Sequence, residues 1–389
     1  MRVSNWKGSA GADVLKPNLR ILHVARRFSG TGGVEKYVRD LVADQRERGF
    51  VSDALVVGRQ SGFKVITQVD PLGRVYEAPQ LFSLQSAVGS FRFPDVLIRI
   101  ARRYDVVHFH YPNPMGEVSY LAVAFAVRNA TVVTFHGEVI SAKRFSSLYS
   151  IVARIFFQSI DRIIVTSPGM LATTPLLRRY QGKTAVIPLG IHVPMGTNVE
   201  ASDVFPLGRT PRLLFVGRLT RYKGVEHLIE AMKEAPGCLI VAGEGPLGAS
   251  LQQQCHDAGL DDRVMFVGHV SEEELHRLYR NADIFVLPST DRAEGFGYVL
   301  LEAMAASLPM ITTELGTGTS WVNVHGETGY VVPPSDSKEL ARAIRIMSND
   351  QHLRRNFGRA ARARLLKHFE FETMTTAIDG EYRRVLNTV

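Results

Sequence analysis

The sequence predicts an α/β protein of two doubly wound, parallel-sheet domains. Three observations carry this. Short apolar, β-branched runs alternate with longer helical stretches along almost the whole chain. The runs are continuously apolar, as in strands covered on both faces by helices, and do not alternate with polar residues as in half-exposed antiparallel sheets. The pattern restarts near residue 211, after a segment carrying Pro188, Pro194, Gly196, Pro206 and Pro211, which is linker composition. A chain of 389 residues is too long for one compact core and fits two.

In the first half, strands are expected at Arg20–Ala25, Ala54–Val57, Asp105–Phe109, Thr131–Phe135, Arg162–Thr166 and Thr184–Ile187, with helices such as Val34–Arg48 and Ser146–Gln158 between them. In the second half they are expected at Arg212–Val216, Cys238–Val241, Val264–Val267, Asp283–Leu287, Met310–Thr313 and Tyr330–Val332. The intervening helices include Gly224–Lys233, Leu247–Ala258, Ser271–Arg280 and Val299–Ala306. The division is therefore an N-terminal extension (1–18), a first domain (19–193), a linker (194–210), a second domain (211–372) and a final helix (373–389). In such sheets ligands bind at the carboxyl ends of the strands, and two joined domains leave a cleft.

Composition narrows the function. With 45% hydrophobic and 22% charged residues, disordered and fibrous classes are excluded. Two cysteines cannot make a disulfide framework, which points to a reducing, cytoplasmic setting. No run is apolar enough for a membrane span, and Met1–Leu19 lacks the apolar centre of a secretory signal. The net charge of +8 is uneven: residues 1–195 carry +12 and residues 196–389 carry −4. Either the charges are scattered solvated side chains, or an anionic partner meets the first half. Nucleic acid is not expected, because no motif for it occurs and basic and aromatic residues are not interleaved.

Four segments carry chemistry. Glu294-Gly295-Phe296-Gly297-Tyr298-Val299-Leu300-Leu301-Glu302 leaves a strand and enters a helix. Its glycines permit close backbone approach, and the helix start is an anion site. Glu302 lies about 12 Å along from Glu294 at helical rise. A nucleoside diphosphate sugar has a matching shape, although the same residues could be plain surface carboxylates. Gly217-Arg218-Leu219-Thr220-Arg221-Tyr222-Lys223-Gly224 also runs from strand to helix. Arg218 and Lys223 are either solvated cations or a fixed pair able to neutralise a leaving diphosphate. No D-x-D occurs, so side chains would replace the usual divalent metal there. Gly30-Thr31-Gly32-Gly33-Val34-Glu35 is a phosphate-permitting turn or only a tight one. Thr134-Phe135-His136-Gly137 ends a strand, so His136 either faces the cleft or is a satisfied core histidine; His108 and His110 end another strand, His110 being the weaker candidate.

One motif is a decoy. Gly243-Glu244-Gly245-Pro246-Leu247-Gly248 matches G-x-G-x-x-G, with Asp261 and Asp262 near the spacing of a ribose-binding acid. It follows the second strand of its domain, whereas dinucleotide sites use the first βα turn.

Taken in order, the N-terminal G-G, G-R-L-x-x-x-K-G, G-E-G-P and E-G-F-G-x-x-x-x-E resemble the retaining glycosyltransferases of the family 4 type, over about residues 20–385. The resemblance implies the GT-B fold: two facing Rossmann-like domains, the first taking the acceptor and the second the donor, with the last helix crossing back to the first. It implies that Arg218 and Lys223 bind the donor diphosphate and that Glu294 contacts sugar hydroxyls. The backbone of Gly295, Phe296 and Gly297 would lie near sugar and phosphate, and Glu302 would hold the ribose. Gly32 and Gly33 would approach the phosphates, His136 would line the sugar site and support the reaction, and His269 and Val270 would meet the nucleobase through backbone groups. No metal and no cofactor is implied.

Many relatives carry G-G-x-x-E after the second glutamate; here the segment is Gly316-Thr317-Gly318-Thr319-Ser320-Trp321-Val322-Asn323, without that acid. This resembles bacterial lipopolysaccharide mannosyltransferases and favours a GDP-sugar such as GDP-mannose. A UDP-sugar-dependent transferase and a sugar-nucleotide epimerase of the same architecture are the alternatives. The acceptor would be a saccharide, free or lipid-linked, in surface polysaccharide or glycolipid synthesis. The basic first domain would then make peripheral contact with an anionic membrane at the inner face of the plasma membrane, one contact being Lys143-Arg144-Phe145 and the following helix with Ile151, Ile155, Phe156 and Phe157. Core packing is the competing role for that helix.

Overall fold

The protein is described by a computed structural model covering residues 18–28, 32–58, 66–70, 73–80, 82–84, 87–138, 146–193, 205 and 210–387. The N-terminal extension, Gly30, Thr31, Lys143, Arg144, Phe145 and most of the expected linker lie outside the described residues.

The strands of the first half are β1 (Arg20–Val24), β2 (Val51–Val57), β3 (Ile66–Asp70), β4 (Gly73–Ala78), β5 (Phe82–Leu84), β6 (Ala87–Gly89), β7 (Val106–Tyr111), β8 (Ala130–Phe135), β9 (Arg162–Val165) and β10 (Thr184–Val186). Eight of them form one sheet in the order β10-β9-β8-β7-β1-β2-β4-β3, and β5 and β6 form a separate hairpin. The second half contributes β11 (Arg212–Val216), β12 (Cys238–Ala242), β13 (Val264–Gly268), β14 (Ile284–Leu287), β15 (Met310–Thr313) and β16 (Gly329–Val332). These form a six-stranded sheet in the order β13-β12-β11-β14-β15-β16. Both sheets are doubly wound, as the alternation of apolar strands and helices requires. The expectation of wholly parallel sheets needs two corrections: β3 pairs antiparallel with β4 at the edge of the first sheet, and β5 pairs antiparallel with β6.

Helices cover both faces. They are α1 (Gly33–Glu47), α2 (Phe93–Ala101), α3 (Pro114–Val123), α4 (Ser146–Ser159), α5 (Pro168–Thr173), α6 (Pro175–Arg179), α7 (Val225–Met232), α8 (Gly248–Asp257), α9 (Glu272–Asn281), α10 (Tyr298–Ala305), α11 (Thr319–Val322), α12 (Ser337–Asn349), α13 (Gln351–His368) and α14 (Phe371–Leu386). Their starts follow local chemistry. Ser271 caps α9 by accepting from Glu274 N, and Asp336 caps α12 by accepting from Lys338 N and Glu339 N. The last helix crosses back to the first half. Arg48 pairs with Asp379, Arg162 Nε with Glu381 at 2.6 Å, and the Tyr382 hydroxyl meets His108 Nδ1 at 2.7 Å.

The helix α4 divides its apolar residues between two environments. Phe156 and Phe157 are fully buried under the sheet, so neither can meet a membrane, whereas Ile151 and Ile155 are about half exposed at 53% and 52%. Among the described residues no helix is long and apolar enough to cross a membrane.

Candidate functional site

The strand order identifies the two places where a ligand would bind. In the second sheet the chain reverses direction between β11 and β14, the switch point at which neighbouring loops diverge and leave a crevice. The loops leaving these two strands are Gly217–Lys223 and Pro288–Gly297, the two segments expected to carry the donor. In the first sheet the corresponding point lies between β1 and β7, with His136 one residue past the adjacent β8.

Lys223 and Glu294 join the two loops of the second switch point. Lys223 Nζ donates to Glu294 Oε2 at 2.5 Å, and Ser289 Oγ donates to the same oxygen at 2.9 Å. Both side chains are buried. Burial opposes the charged form of Lys223, but the carboxylate of Glu294 outweighs it, and the net pKa is raised. Gly224 allows the loops to close: its φ of +66° suits glycine, and a Cβ would stand 2.2 Å from the carbonyl oxygen of Pro288. Arg218 is exposed at the rim. A cation that the sequence reading did not single out, Arg26 at the end of β1, lies within its field. Burial first, then the charges of Arg27 and also Arg218, lower the pKa of Arg26, so Arg26 lies within the field of both. The signal was present, as two consecutive arginines leaving strand one.

Glycines let the halves meet. A Cβ on Gly295 would lie 1.8 Å from the carbonyl oxygen of His136, and one on Gly33 would lie 3.2 Å from Tyr298 Cβ. The amino ends of α1 and α10, at Gly33 and Tyr298, therefore converge from opposite domains, and both offer positive dipole ends to an anion. Gly32 is the N-cap of α1, and Gly297, at φ +78°, that of α10. Phe296 turns its ring into the core, edge-on to Trp321 and Phe369, leaving its backbone at the loop.

Glu302 is already engaged. It accepts from Lys36 Nζ at 3.0 Å across the cleft and from the Tyr279 hydroxyl at 2.9 Å. A carboxylate has about four acceptor positions, so room remains for a ribose hydroxyl. Tyr298 donates to Asp40 at 3.4 Å beside this bridge. At the other end of the cleft Arg292 reaches Glu138 at 2.9 Å and Thr174 Oγ1 at 3.1 Å. Lys36, Asp40, Glu138, Thr174 and Arg292 were not singled out in sequence, because their cross-domain partners lie 118 to 266 positions away.

The remaining expected residues have clear surroundings. His269 is exposed, its amide facing Glu244 Oε1 at 3.4 Å, and Val270 packs partly against the core. Gly268, at φ +65°, turns the chain there. The G-x-G-x-x-G segment packs against the Gly217–Lys223 loop: a Cβ on Gly243 would meet Gly217 O at 2.1 Å and one on Gly245 would meet Leu219 O at 2.3 Å. Its glycines are needed for backbone packing. In the loop lacking the acid, Thr317 Oγ1 donates to Glu294 O at 2.8 Å and Gly318 N to Gly295 O at 2.7 Å, so this segment braces the Glu294 backbone. Asn323 is buried, donating to Tyr330 O at 2.9 Å and accepting from Thr328 Oγ1 at 2.8 Å.

His136 is buried at the end of β8, and burial pushes its pKa down to about 3, so the ring is neutral. Its Nε2 meets His110 Nδ1 at 3.2 Å. His108 and His110 are fully inside, His108 between Tyr382 and Thr134 and His110 between His23 and His136. His23, His108 and His110 are close enough for a metal ion, but every one of their ring nitrogens already has a protein hydrogen-bond partner.

Comparison with known proteins agrees with this geometry. The profile described as Glycosyltransferase Family 4 matches residues 31–193, and that of Glycosyl transferases group 1 matches residues 201–364. The chain is 31% identical to the D-rhamnosyltransferase WbpZ of Pseudomonas aeruginosa, over 90% of this chain and 92% of that one. It is 29% identical to the O-antigen chain mannosyltransferase C of Escherichia coli, over 95% and 100% of the two chains. Sucrose-phosphate synthase of Thermosynechococcus elongatus shares the fold, with a TM-score of 0.78 at 23% identity over 95% of this chain and 100% of the other. Profiles on both domains and relatives matched over nearly their whole length lead to one conclusion: the chain belongs to the GT-B glycosyltransferases of the family 4 type.

Proposed function

We propose that the enzyme is a retaining, metal-independent hexosyltransferase that moves a mannosyl-type residue from a GDP-sugar to a saccharide acceptor, free or lipid-linked, in bacterial surface polysaccharide or glycolipid synthesis. The observation that carries the reading is the buried Lys223–Glu294 pair spanning the β11/β14 switch point, with Arg218 exposed on the same loop as Lys223 and the amino end of α10 following the Glu294 loop. The mannosyl lean is supported by the O-antigen mannosyltransferase relative and by the acid-free loop at Gly316–Asn323.

In the proposed reaction the anomeric carbon–oxygen bond to the diphosphate breaks while the acceptor oxygen bonds to the same face. The acceptor proton passes to the leaving phosphate oxygen. Arg218, Lys223 and the dipoles of α1 and α10 stabilise the diphosphate charge as it develops, with Arg26 and Arg27 adding to the field. Glu294, held by Lys223 and Ser289, contacts sugar hydroxyls. Glu302 holds the ribose, the backbone at His269 and Val270 faces the nucleobase, and the neutral His136 accepts from a sugar hydroxyl. The contacts of Gly295 with His136 and of Lys36 with Glu302 suit a cleft that excludes water when shut.

The first domain would dock on an anionic membrane at the cytoplasmic face through α3 and α4, which lie side by side. Val118, Phe125, Ile151 and Ile155 are exposed there, with Arg128 and Arg154 exposed nearby.

The test is donor consumption by the purified chain in chelator, comparing GDP-, UDP- and ADP-hexoses. GDP-mannose turnover that persists without divalent metal supports the reading. Turnover of only a UDP- or ADP-sugar would overturn the donor, and loss of turnover on chelation would overturn the metal-free mechanism.

A further inference from the structure

We propose that Gln45 acts as a positioning residue that fixes the tautomer of His136 through a row of buried histidines, so that His136 Nδ1 always presents a lone pair. The inference rests on the reading of His136 as a ligand of the donor sugar. The row begins on α1. Gln45 Oε1 lies 2.8 Å from His23 Nε2, His23 Nδ1 lies 3.0 Å from His110 Nε2, and His110 Nδ1 lies 3.2 Å from His136 Nε2. The rings of His110 and His136 are stacked at 5.4 Å and 25°, with Tyr37 edge-on to both.

The hydrogen bonds run in one direction. Each neutral imidazole has one donor and one acceptor nitrogen. An amide oxygen can only accept, so His23 must carry its proton on Nε2, leaving Nδ1 as acceptor. His110 must then donate from Nε2 and accept at Nδ1, and His136 must donate from Nε2. Burial pushes His23 down to about 4 and His110 well below the ordinary range, so the rings stay neutral and the polarity of the row is kept.

Gln45 has two further partners. Ser52 Oγ donates to Oε1 at 2.7 Å, and Nε2 donates to the Tyr382 hydroxyl at 3.3 Å. That hydroxyl can then donate to His108 Nδ1 at 2.7 Å, and His108 Nε2 to Thr134 Oγ1 at 2.8 Å. Both branches are satisfied with the amide oxygen toward His23. In the opposite orientation the amide would donate to Ser52 Oγ and His23 Nε2, its oxygen would accept from Tyr382 and the whole row would reverse, so the orientation of Gln45 sets the polarity of the row.

The one ring nitrogen of the row with no partner among the described residues is His136 Nδ1, which is buried at the carboxyl end of the sheet. A buried acceptor left open is costly and suits a ligand hydroxyl that fills it. In the reversed row this atom would be a donor, and a substrate hydroxyl would have to rearrange to meet it.

The experiment uses the full chain labelled with ¹⁵N-histidine. Ring-nitrogen NMR of the wild type should show His136, assigned by its absence in His136→Phe, as the Nε2–H tautomer alone. In Gln45→Met both directions of the row leave one unpaired end, so His136 should become a mixture. Donor turnover should fall on the order of 10²-fold in kcat, with donor KM changed less than about threefold, because shape and charge at the site are kept. An Nδ1–H His136 in the wild type overturns the proposal whether or not the variant folds. So does an unchanged tautomer in folded Gln45→Met. A wild type that shows the Nε2–H tautomer but consumes no sugar nucleotide would instead count against the glycosyltransferase assignment of the site.

Discussion

Removing one partner of the Lys223–Glu294 pair leaves the other as an unpaired charge in surroundings where each side chain is only 9% exposed. Breaking a buried pair in this way costs roughly 3–5 kcal/mol. In a domain of this size each kcal/mol lowers Tm by roughly 2–4 °C. Lys223→Ala and Glu294→Ala are therefore each expected to melt on the order of 6–20 °C below the wild type. The double variant removes both charges at once. If the pair is the main interaction of each residue, the double variant should be no less stable than the worse single one, a coupling of at least roughly 3 kcal/mol. Chemical denaturation of the four proteins measures it. Single-variant losses that add within about 0.5 kcal/mol would show that the side chains do not act on each other, and the argument for a joined donor clamp would fail. Turnover should be lost in all three variants, because in the proposed reaction the pair also serves the diphosphate and the sugar.

Three further outcomes follow from the same geometry. Gly295→Ala places a methyl group where His136 O stands 1.8 Å away, so the halves must separate; kcat should fall roughly 10²-fold with both domains folded, and unchanged kcat would refute the close approach. Glu117 is pushed up from 4.5 to about 7 by burial, against the donations of the Tyr149 hydroxyl and Asn113 N. Because its folded pKa is raised, its contribution is fully present below pH 4.5 and is lost as pH rises through about 7, at most roughly 3 kcal/mol. Glu117→Gln should flatten the stability–pH curve over that window, and an identical curve contradicts the assignment. Ile151→Glu/Ile155→Glu should abolish salt-sensitive flotation with anionic vesicles; flotation equal to wild type would remove α4 as the docking face.

The second domain was readable from sequence almost strand by strand, because its six strands are short, apolar and separated by amphipathic helices. The Gly217–Lys223 and Pro288–Gly297 loops were readable as strand-to-helix turns for the same reason: a strand, then glycines and charges, then a helix start. The edge of the first sheet was not. β3 and β4 mix polar and apolar residues and resemble loop, and the hairpin strands β5 and β6 have only three residues each. The G-x-G-x-x-G segment is instructive, since glycine spacing reports a close backbone approach without saying to what, and here the neighbour is the Gly217–Lys223 loop. The histidine row was half visible. His108 and His110, two apart on a strand, must share a face, but the register that sets His23 beside His108 is a property of the folded sheet. Pairs such as Lys36 with Glu302 and Arg292 with Glu138 depend on how the two domains face each other, which no local pattern encodes.

The central claim, a metal-independent nucleotide-sugar clamp built on Arg218 and Lys223, is tested most directly by calorimetric titration of GDP into the full chain in chelator. The account predicts saturable binding to the wild type and a loss of at least about tenfold in affinity, some 1.4 kcal/mol, in both Arg218→Ala and Lys223→Ala. Binding of GDP to either variant with wild-type affinity, or no binding to the wild type until a divalent metal is added, would contradict it.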